Sequence, residues 1–224
     1  MKKVLIYVEG PTEEAFVNKV IAKQLMQRDV YIVPTIATTK LVASGPNYKG
    51  GYVKYPKAKK EIQRLLGDSS AAAVTTMLDF YGLPDSYPGK EDELPANIYE
   101  KVEYLETKFS EDINDSRFIP YLSLHEFEAM VFCSVEEICK SFPALDIELE
   151  LNQIVDEVES PEEINEGENT HPVARLLNII PEYVKVVFGP LITRRTGLEQ
   201  IRNKCPHFNS WLSRIENLVD RVDN

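Results

Sequence analysis

The sequence predicts an α/β fold, with a mostly parallel sheet flanked by helices and a helical C-terminal extension. Strand and helix signals alternate along the first 135 of the 224 residues, the pattern of a sheet built from strand–helix–strand units. From Ser134 onward the apolar residues repeat only at helical spacing. We therefore predict an α/β domain over residues 1–135 and a helical region over residues 136–224 that packs on it.

The first three elements follow from the spacing of apolar residues. Residues 4–8 form an unbroken apolar run, which indicates a buried strand. Residues 13–25 carry apolar side chains at helical spacing and predict a helix. A β-branched run over residues 30–36 predicts a second strand, and Pro34 places that strand at a sheet edge because proline cannot donate to a ladder.

The middle of the α/β region reads as loop, helix, strand and loop. Glycines and prolines interrupt residues 41–56, which predicts a loop, and residues 57–66 predict a short helix. The apolar run at residues 71–78 predicts a central strand. Three prolines and two glycines follow within residues 81–95, which indicates a long loop of the kind that often carries function.

Capping residues mark the later elements. Asn97 is placed to cap a helix, and Ser134 begins a capping box. Between them, residues 118–124 predict a further strand. Residues 146–168 hold ten acids and no base, which predicts a solvated acidic helix and loop, with a helix start at Ser160. The apolar spacing of residues 208–222 predicts the last helix.

Composition restricts the classes of protein. No apolar run approaches the ~20 residues needed to cross a bilayer. The three cysteines lack paired spacing, which favours a reducing, cytoplasmic location without disulfides or structural zinc. The formal net charge of −11 argues against diffuse binding to nucleic acid.

Acidic residues follow three of the predicted strands directly. Glu9 ends the first strand, Asp79 ends the central strand, and residues 125–128 (His-Glu-Phe-Glu) follow the next one. Ligand sites in open α/β sheets form beyond the carboxyl ends of the strands, so these side chains are expected to meet. Carboxylate oxygens suit Mg²⁺ or Mn²⁺, which we predict as the cofactor, with Glu9 and Asp79 as catalytic residues.

Each acid also has an ordinary structural explanation. Glu13, Glu126 and Glu128 fall in first turns of predicted helices, where acids favour the helix dipole. A histidine such as His125 is more often a capping or core residue than a metal ligand. Glu9 is harder to explain in this way, because an unpaired acid at the end of a buried strand costs free energy.

Basic residues give two candidate nucleic-acid contacts. Between Lys40 and Arg64 the chain holds seven basic residues and one acid, among them Lys54, Lys57 and Lys60. Arg194 and Arg195 precede a predicted helix whose first N–H groups would suit a phosphate. The alternative for both groups is an ordinary solvated surface.

Residues 8–13 (Val-Glu-Gly-Pro-Thr-Glu) resemble the opening motif of Toprim domains, in which a strand ends in Glu-Gly and leads into a helix. Toprim domains occur in topoisomerases, primases and overcoming-lysogenization-defect nucleases. Further segments resemble an uncharacterised bacterial family with a Toprim-like fold, domain of unknown function 4276. These segments are residues 78–84, 119–121, 125–129, 161–165 and 205–208.

The resemblance implies a role for individual residues. Glu9 matches the Toprim glutamate that binds metal or acts as general acid/base. Glu13 matches an acid that nuclease members carry early in the first helix. Asp79 matches the first Asp of an Asp-x-Asp motif. The chain departs from that motif at Tyr81, where the second Asp would stand. Asp85, Glu126 and Glu128 are the candidate replacements, and Glu126 is favoured because it lies just past a strand.

Two functions follow as hypotheses. The first is a metal-dependent nuclease or phosphodiesterase in DNA processing or phage defence, with nucleic acid and an ABC-type ATPase as candidate partners, since the resembled family is often encoded beside one. The second is a non-catalytic Toprim-fold module that binds such an ATPase.

Overall fold

The structure, a computed structural model, describes residues 1–40, 48–49, 53–124, 126–164, 167 and 169–218. Within these residues, five strands form a sheet in the order β2-β1-β5-β6, with β7 also beside β5, and every pairing in it is parallel. A separate antiparallel pair joins β3 and β4. The strands are β1 (Lys2–Val8), β2 (Val30–Ile36), β3 (Thr38–Lys40), β4 (Tyr48–Lys49), β5 (Ala71–Asp79), β6 (Phe118–Ile119) and β7 (Leu122–Ser123).

Strand β1 lies inside the sheet, between β2 and β5, with Val8 opposite Ile36 on one side and Met77 on the other. Among the described residues, strand β2 pairs with β1 alone, which agrees with the edge position predicted from its proline. The central position predicted for the strand at residues 71–78 is also confirmed, because β5 pairs with β1 and with β6 and β7.

The predicted strand at residues 118–124 is interrupted. Its two short strands lie on either side of Pro120, which has no N–H for the ladder. The side chain of Thr76 replaces the missing backbone pairing, since its Oγ1 donates to the Tyr121 carbonyl (2.8 Å) and accepts from the Tyr121 N–H (2.9 Å).

Helices cover both faces of the sheet. Helix α1 (Pro11–Phe16) continues through a π-helical turn (Val17–Ile21) into α2 (Ala22–Gln27). The remaining helices are α3 (Tyr55–Leu66), α4 (Ile98–Ile113), α5 (Glu128–Val131), α6 (Val135–Ser141), α7 (Glu148–Asp156), α8 (Pro172–Ile179), α9 (Lys185–Thr196), α10 (Leu198–Lys204) and α11 (Pro206–Glu216). No helix in the described parts of the chain has both the length and the apolar character required to cross a membrane.

The core has two parts, one on each face of the sheet. On one face, Leu5 and Val74 pack with Ile62 of α3 and Phe109 of α4. On the other face the apolar cluster runs from β1 and α1 to the C-terminal helices; among its members are Val4, Ile6, Phe16, Met77, Trp211, Leu212 and Ile215. The α/β part and the C-terminal helices therefore share one core on that face.

Capping was predicted correctly at two helices. Asn97 Oδ1 accepts from the N–H groups of Tyr99 and Glu100, and Ser134 Oγ accepts from Glu137. The loop predicted at residues 41–56 lies mostly outside the described residues. Helix α3 begins at Tyr55, two residues before its predicted start and inside the last part of that predicted loop.

Three later predictions need correction. The last helix ends at Glu216, whereas the apolar spacing predicted a helix to residue 222, and residues 219–224 lie outside the described part. The helix start at Ser160 is a single 3₁₀ turn, Pro161–Glu163. Glu162, assigned to a solvated acidic segment, is buried because its carboxylate accepts from the N–H groups of His207 and Phe208 at the start of α11 (2.9 Å each).

Candidate functional site

The carboxyl ends of β1 and β5 bring the first two acids together. Glu9 follows β1, and its N–H donates to the Met77 carbonyl of β5 (3.2 Å). The Asp79 N–H in turn donates to Glu9 Oε2 (3.2 Å). Parallel pairing of adjacent strands thus places these two acids side by side, as the sequence predicted.

Three further acids join this pair from neighbouring segments. Glu13 lies in α1, just after the turn at Gly10, and is buried. Glu126 and Glu128 follow β7 and are buried as well, with Glu128 fully enclosed. We call the set Glu9, Glu13, Asp79, Glu126 and Glu128 the carboxylate cluster.

Backbone and side-chain donors fix part of the cluster. The Phe127 N–H donates to Asp79 Oδ1 (3.1 Å), which ties the segment after β7 to the end of β5. Glu126 Oε2 accepts from the Val173 N–H at the start of α8 (3.0 Å). The Tyr183 hydroxyl donates to Glu128 Oε1 (3.4 Å).

Lys185 supplies a positive charge in the centre of the cluster, and sequence reasoning missed it. Its Nζ lies 3.0 Å from Glu128 Oε2, 3.5 Å from Asp79 Oδ2 and 3.7 Å from Glu13 Oε1. Glu128 Oε2 has no well-directed hydrogen bond from the described residues, so its contact with Lys185 is an ion pair held by charge. The lysine is the first residue of α9, where the sequence gives no sign of a buried partner.

Helix α9 approaches the cluster closely because of Gly189, one turn after Lys185. A Cβ at this position would lie 2.9 Å from a ring carbon of Phe127 and 3.4 Å from the Thr12 methyl group. Only glycine allows α9 to pack this near to α1 and to the segment after β7. This close approach brings the Lys185 side chain to the acids.

Burial raises the pKa of every acid in the cluster, and repulsion by Asp79 raises the pKa of the four glutamates further. Burial first, and then the neighbouring Asp79, raises the pKa of Glu9 from 4.5 to about 8. Burial also raises the pKa of Glu128 to about 7, against the opposing effect of Lys185. The pKa values of Glu13, Asp79 and Glu126 are raised too, chiefly by burial.

The negative charges of the cluster raise the pKa of Lys185 and so favour its charged form. Burial alone would lower the pKa of this ammonium, but Asp79, Glu128 and Glu13 hold it well above its usual value. Lys185 is therefore charged throughout the neutral range. One ammonium among five carboxylates leaves four acids without a compensating cation in the cluster, so they are neutralised either by protons or by a further cation.

The donor chemistry of the cluster fits a hard divalent cation, since Mg²⁺ and Mn²⁺ prefer carboxylate oxygens. In the conformation described, however, no three His, Cys, Asp or Glu side chains of the described residues are arranged as a ligand set. The Lys185 Nζ lies among the oxygens of Glu13, Asp79 and Glu128 instead. A metal ion would therefore share this space with the ammonium or displace it.

Other predicted site residues lie outside the cluster. His125 falls outside the described residues, and Asp85 is exposed in the loop after β5. Tyr81, at the position of the missing second Asp, stacks on His171, with ring centroids 4.6 Å apart. Sequence reasoning did not single out His171.

The two basic groups lie differently with respect to the cluster. Helix α3 leads into a parallel strand, so its start, with Lys54 and Lys57, lies at the same edge of the sheet as the acids. Lys54 and Lys60 are exposed.

Arg194 and Arg195 precede α10, which begins at Leu198 as predicted, but they are themselves in the last turn of α9, where basic residues favour the helix dipole. They are roughly 14 Å along the axis from Lys185, by the rise of 1.5 Å per residue. This position separates them from the cluster.

Comparison with known proteins gives one match. The family model described as "Domain of unknown function (DUF4276)" matches residues 8–216, which is most of the chain. Searches of curated proteins and of solved structures return no match.

Proposed function

The chain belongs to the DUF4276 family, and on that premise we propose that its carboxylate cluster binds Mg²⁺ or Mn²⁺ and that the protein hydrolyses phosphodiester bonds in nucleic acid. One observation carries the proposal: four buried carboxylates and the partly buried Glu9 converge at the carboxyl edge of a parallel sheet, and a single ammonium lies among three of them. Burying this many acids costs stability unless a cation compensates them, so a functional reason for the cluster is needed.

The residues have distinct parts in the proposed reaction. Glu9, Glu13, Asp79 and Glu128 would hold the ion, with Glu126 as the fifth oxygen donor. A divalent ion supplies charge stabilisation to a phosphodiester undergoing in-line attack. In the metal-free site the Glu9 carboxyl has a pKa of about 8 and changes protonation near neutral pH, so Glu9 would act as a general acid or base only where it does not itself hold the ion.

Lys185 would position the phosphate. Its ammonium is charged at neutral pH, and its side chain is 33% exposed whereas the carboxylates beside it are nearly enclosed. A phosphate oxygen approaching from solvent would meet this ammonium. Such a donor, already in place, stabilises charge that develops in the reaction.

The basic start of α3 supports nucleic acid as the substrate. Lys54 and Lys57 lie at the carboxyl edge of the sheet with the cluster, and local charge outweighs the net charge of −11 for a polyanion in contact. The likeness to Toprim nucleases, with Glu9 after the first strand and Asp79 after a neighbouring parallel strand, agrees with this choice. A role in DNA processing or phage defence beside an ABC-type ATPase rests on that resemblance alone.

The substitution Asp79→Asn tests the activity. Asp79 lies 3.5 Å from Lys185 and beside Glu9, so loss of its charge should lower metal-dependent cleavage of plasmid or single-stranded DNA by about 100-fold or more. Rates are compared with Mn²⁺, with Mg²⁺ and with a chelator, and the exposed Asp85→Asn serves as the matched control. A folded Asp79→Asn protein that cleaves at the wild-type rate would rule out this role.

A second function, a non-catalytic binding module, is favoured by one observation. The Lys185 ammonium already lies among three of the carboxylates, as a structural cation would. In that case the wild type binds no Mn²⁺ in a calorimetric titration and shows no cleavage with either metal. Measurable Mn²⁺ binding that depends on Asp79 would argue against this second function and for a metal site in the cluster.

A further inference from the structure

Tyr81 is fixed by a tight turn directly after β5. The Leu83 N–H donates to the Phe80 carbonyl (3.1 Å), and Gly82 adopts a positive φ of 73°, as the third residue of a type II turn requires. The turn holds the Tyr81 ring two residues beyond Asp79. Tyr81 is partly buried, so one part of its surface is in contact with the protein.

The contact is a ring stack with His171. The two ring centroids are 4.6 Å apart and the ring planes differ by 17°. On its edge, His171 Nδ1 lies 3.0 Å from the Gly167 carbonyl oxygen, which only accepts, so Nδ1 carries a proton. The imidazole is therefore held on one face by Tyr81 and at one edge by the backbone.

His171 in turn sets the position of helix α8. It precedes Pro172, the first residue of that helix, and its side chain makes no capping bond to the helix. The carboxylate of Glu126 takes the capping position instead, because Glu126 Oε2 accepts from the Val173 N–H (3.0 Å). A continuous set of contacts thus leads from Tyr81 through His171 and Val173 to Glu126.

We propose that Tyr81 is a positioning residue for Glu126: by stacking on His171 it holds the start of α8 so that the Val173 N–H orients the Glu126 carboxylate toward the cluster. The tyrosine that stands in place of a second strand-end acid would then recruit an acid from the segment after β7. This inference rests on the proposed function for the role of Glu126, but its geometric part does not. Groups that orient metal ligands in this way commonly change metal affinity by 10–100-fold.

Amide exchange tests the geometric part without metal. The variants Tyr81→Leu, which removes the ring, and Tyr81→Phe, which keeps it, are compared with the exposed Tyr31→Leu as the matched control. Hydrogen exchange at the Val173 amide should be about three- to tenfold faster in Tyr81→Leu only, the range that a stacked pair supports. Unchanged exchange in Tyr81→Leu would overturn the positioning role.

Mn²⁺ titration tests the link to the cluster. Affinity should fall about tenfold in Tyr81→Leu, remain near wild type in Tyr81→Phe, and show no further loss when Tyr81→Leu is added to Glu126→Gln. An equal loss in the Glu126→Gln background would refute the route through Glu126. If the wild type binds no Mn²⁺, the proposed function fails, and the exchange measurement still decides whether Tyr81 holds α8.

Discussion

Replacing Glu9 by glutamine should stabilise the metal-free protein at neutral and alkaline pH. Burial and Asp79 raise the pKa of Glu9 to about 8, from the ordinary value of 4.5. Between these values the folded state binds a proton that the unfolded state has lost, so the free energy of unfolding falls as the pH rises from 4.5 to 8. Glutamine has no proton to lose in this range, and its carbonyl can still accept from the Asp79 N–H.

The size of the effect follows from the two pKa values. Each pH unit between them lowers the free energy of unfolding by about 1.4 kcal/mol. The contribution of Glu9 is therefore a loss of about 3 kcal/mol at pH 7 and about 5 kcal/mol above pH 8. Burying the glutamine amide costs about 1–3 kcal/mol at every pH, so we expect Glu9→Gln to be more stable than wild type by about 2–4 kcal/mol at pH 8.5 and less stable by up to about 2 kcal/mol at pH 5.

Urea unfolding at pH 5, 7 and 8.5 in the presence of a chelator measures this difference. The substitution Glu91→Gln in the exposed loop is the control, because it makes the same chemical change away from the cluster. The reasoning is wrong if Glu9→Gln is no more stable than wild type at pH 8.5, or if its advantage is the same at pH 5. The same variant should lose the stabilisation that Mn²⁺ gives the wild type.

Two further substitutions test the fold around the site. Asn97→Ala should lower the free energy of unfolding by about 1 kcal/mol in urea titrations, because Asn97 caps α4 through the N–H groups of Tyr99 and Glu100. A loss of stability too small to detect would contradict that role. Glu162→Ala should lower the free energy of unfolding by about 2–4 kcal/mol in the same assay, since it leaves two buried N–H groups at the start of α11 without an acceptor. An effect as small as that of replacing a surface glutamate would show that water replaces the carboxylate.

The sheet and half of the site could be predicted because they depend on local patterns. Unbroken apolar runs identify buried parallel strands, and the rule that ligands lie beyond the carboxyl ends of such strands places Glu9 beside Asp79. Capping at Asn97 is equally local, since donor and acceptor lie within three residues. Such features need no knowledge of the tertiary structure.

The remaining features depend on packing between distant segments, which no local pattern encodes. Lys185 begins a helix, where a lysine is ordinarily solvated, and it becomes a partly exposed counter-ion of the cluster because Gly189 lets α9 approach α1. Glu162 is buried for a similar reason, since its partners lie at the start of α11. The stack of Tyr81 on His171 also joins two loops that the sequence does not relate.

The late position of Lys185 in the chain has a consequence for biosynthesis. Every acid of the cluster is already present in the first 128 residues, whereas the ammonium that compensates part of their charge follows in α9. A nascent chain that has emerged only to residue 135 carries these acids without their counter-ion and lacks the Trp211 side of the core. We therefore expect the site to assemble only after the C-terminal helices have left the ribosome, and a shortened chain of residues 1–135 to fold poorly when expressed alone.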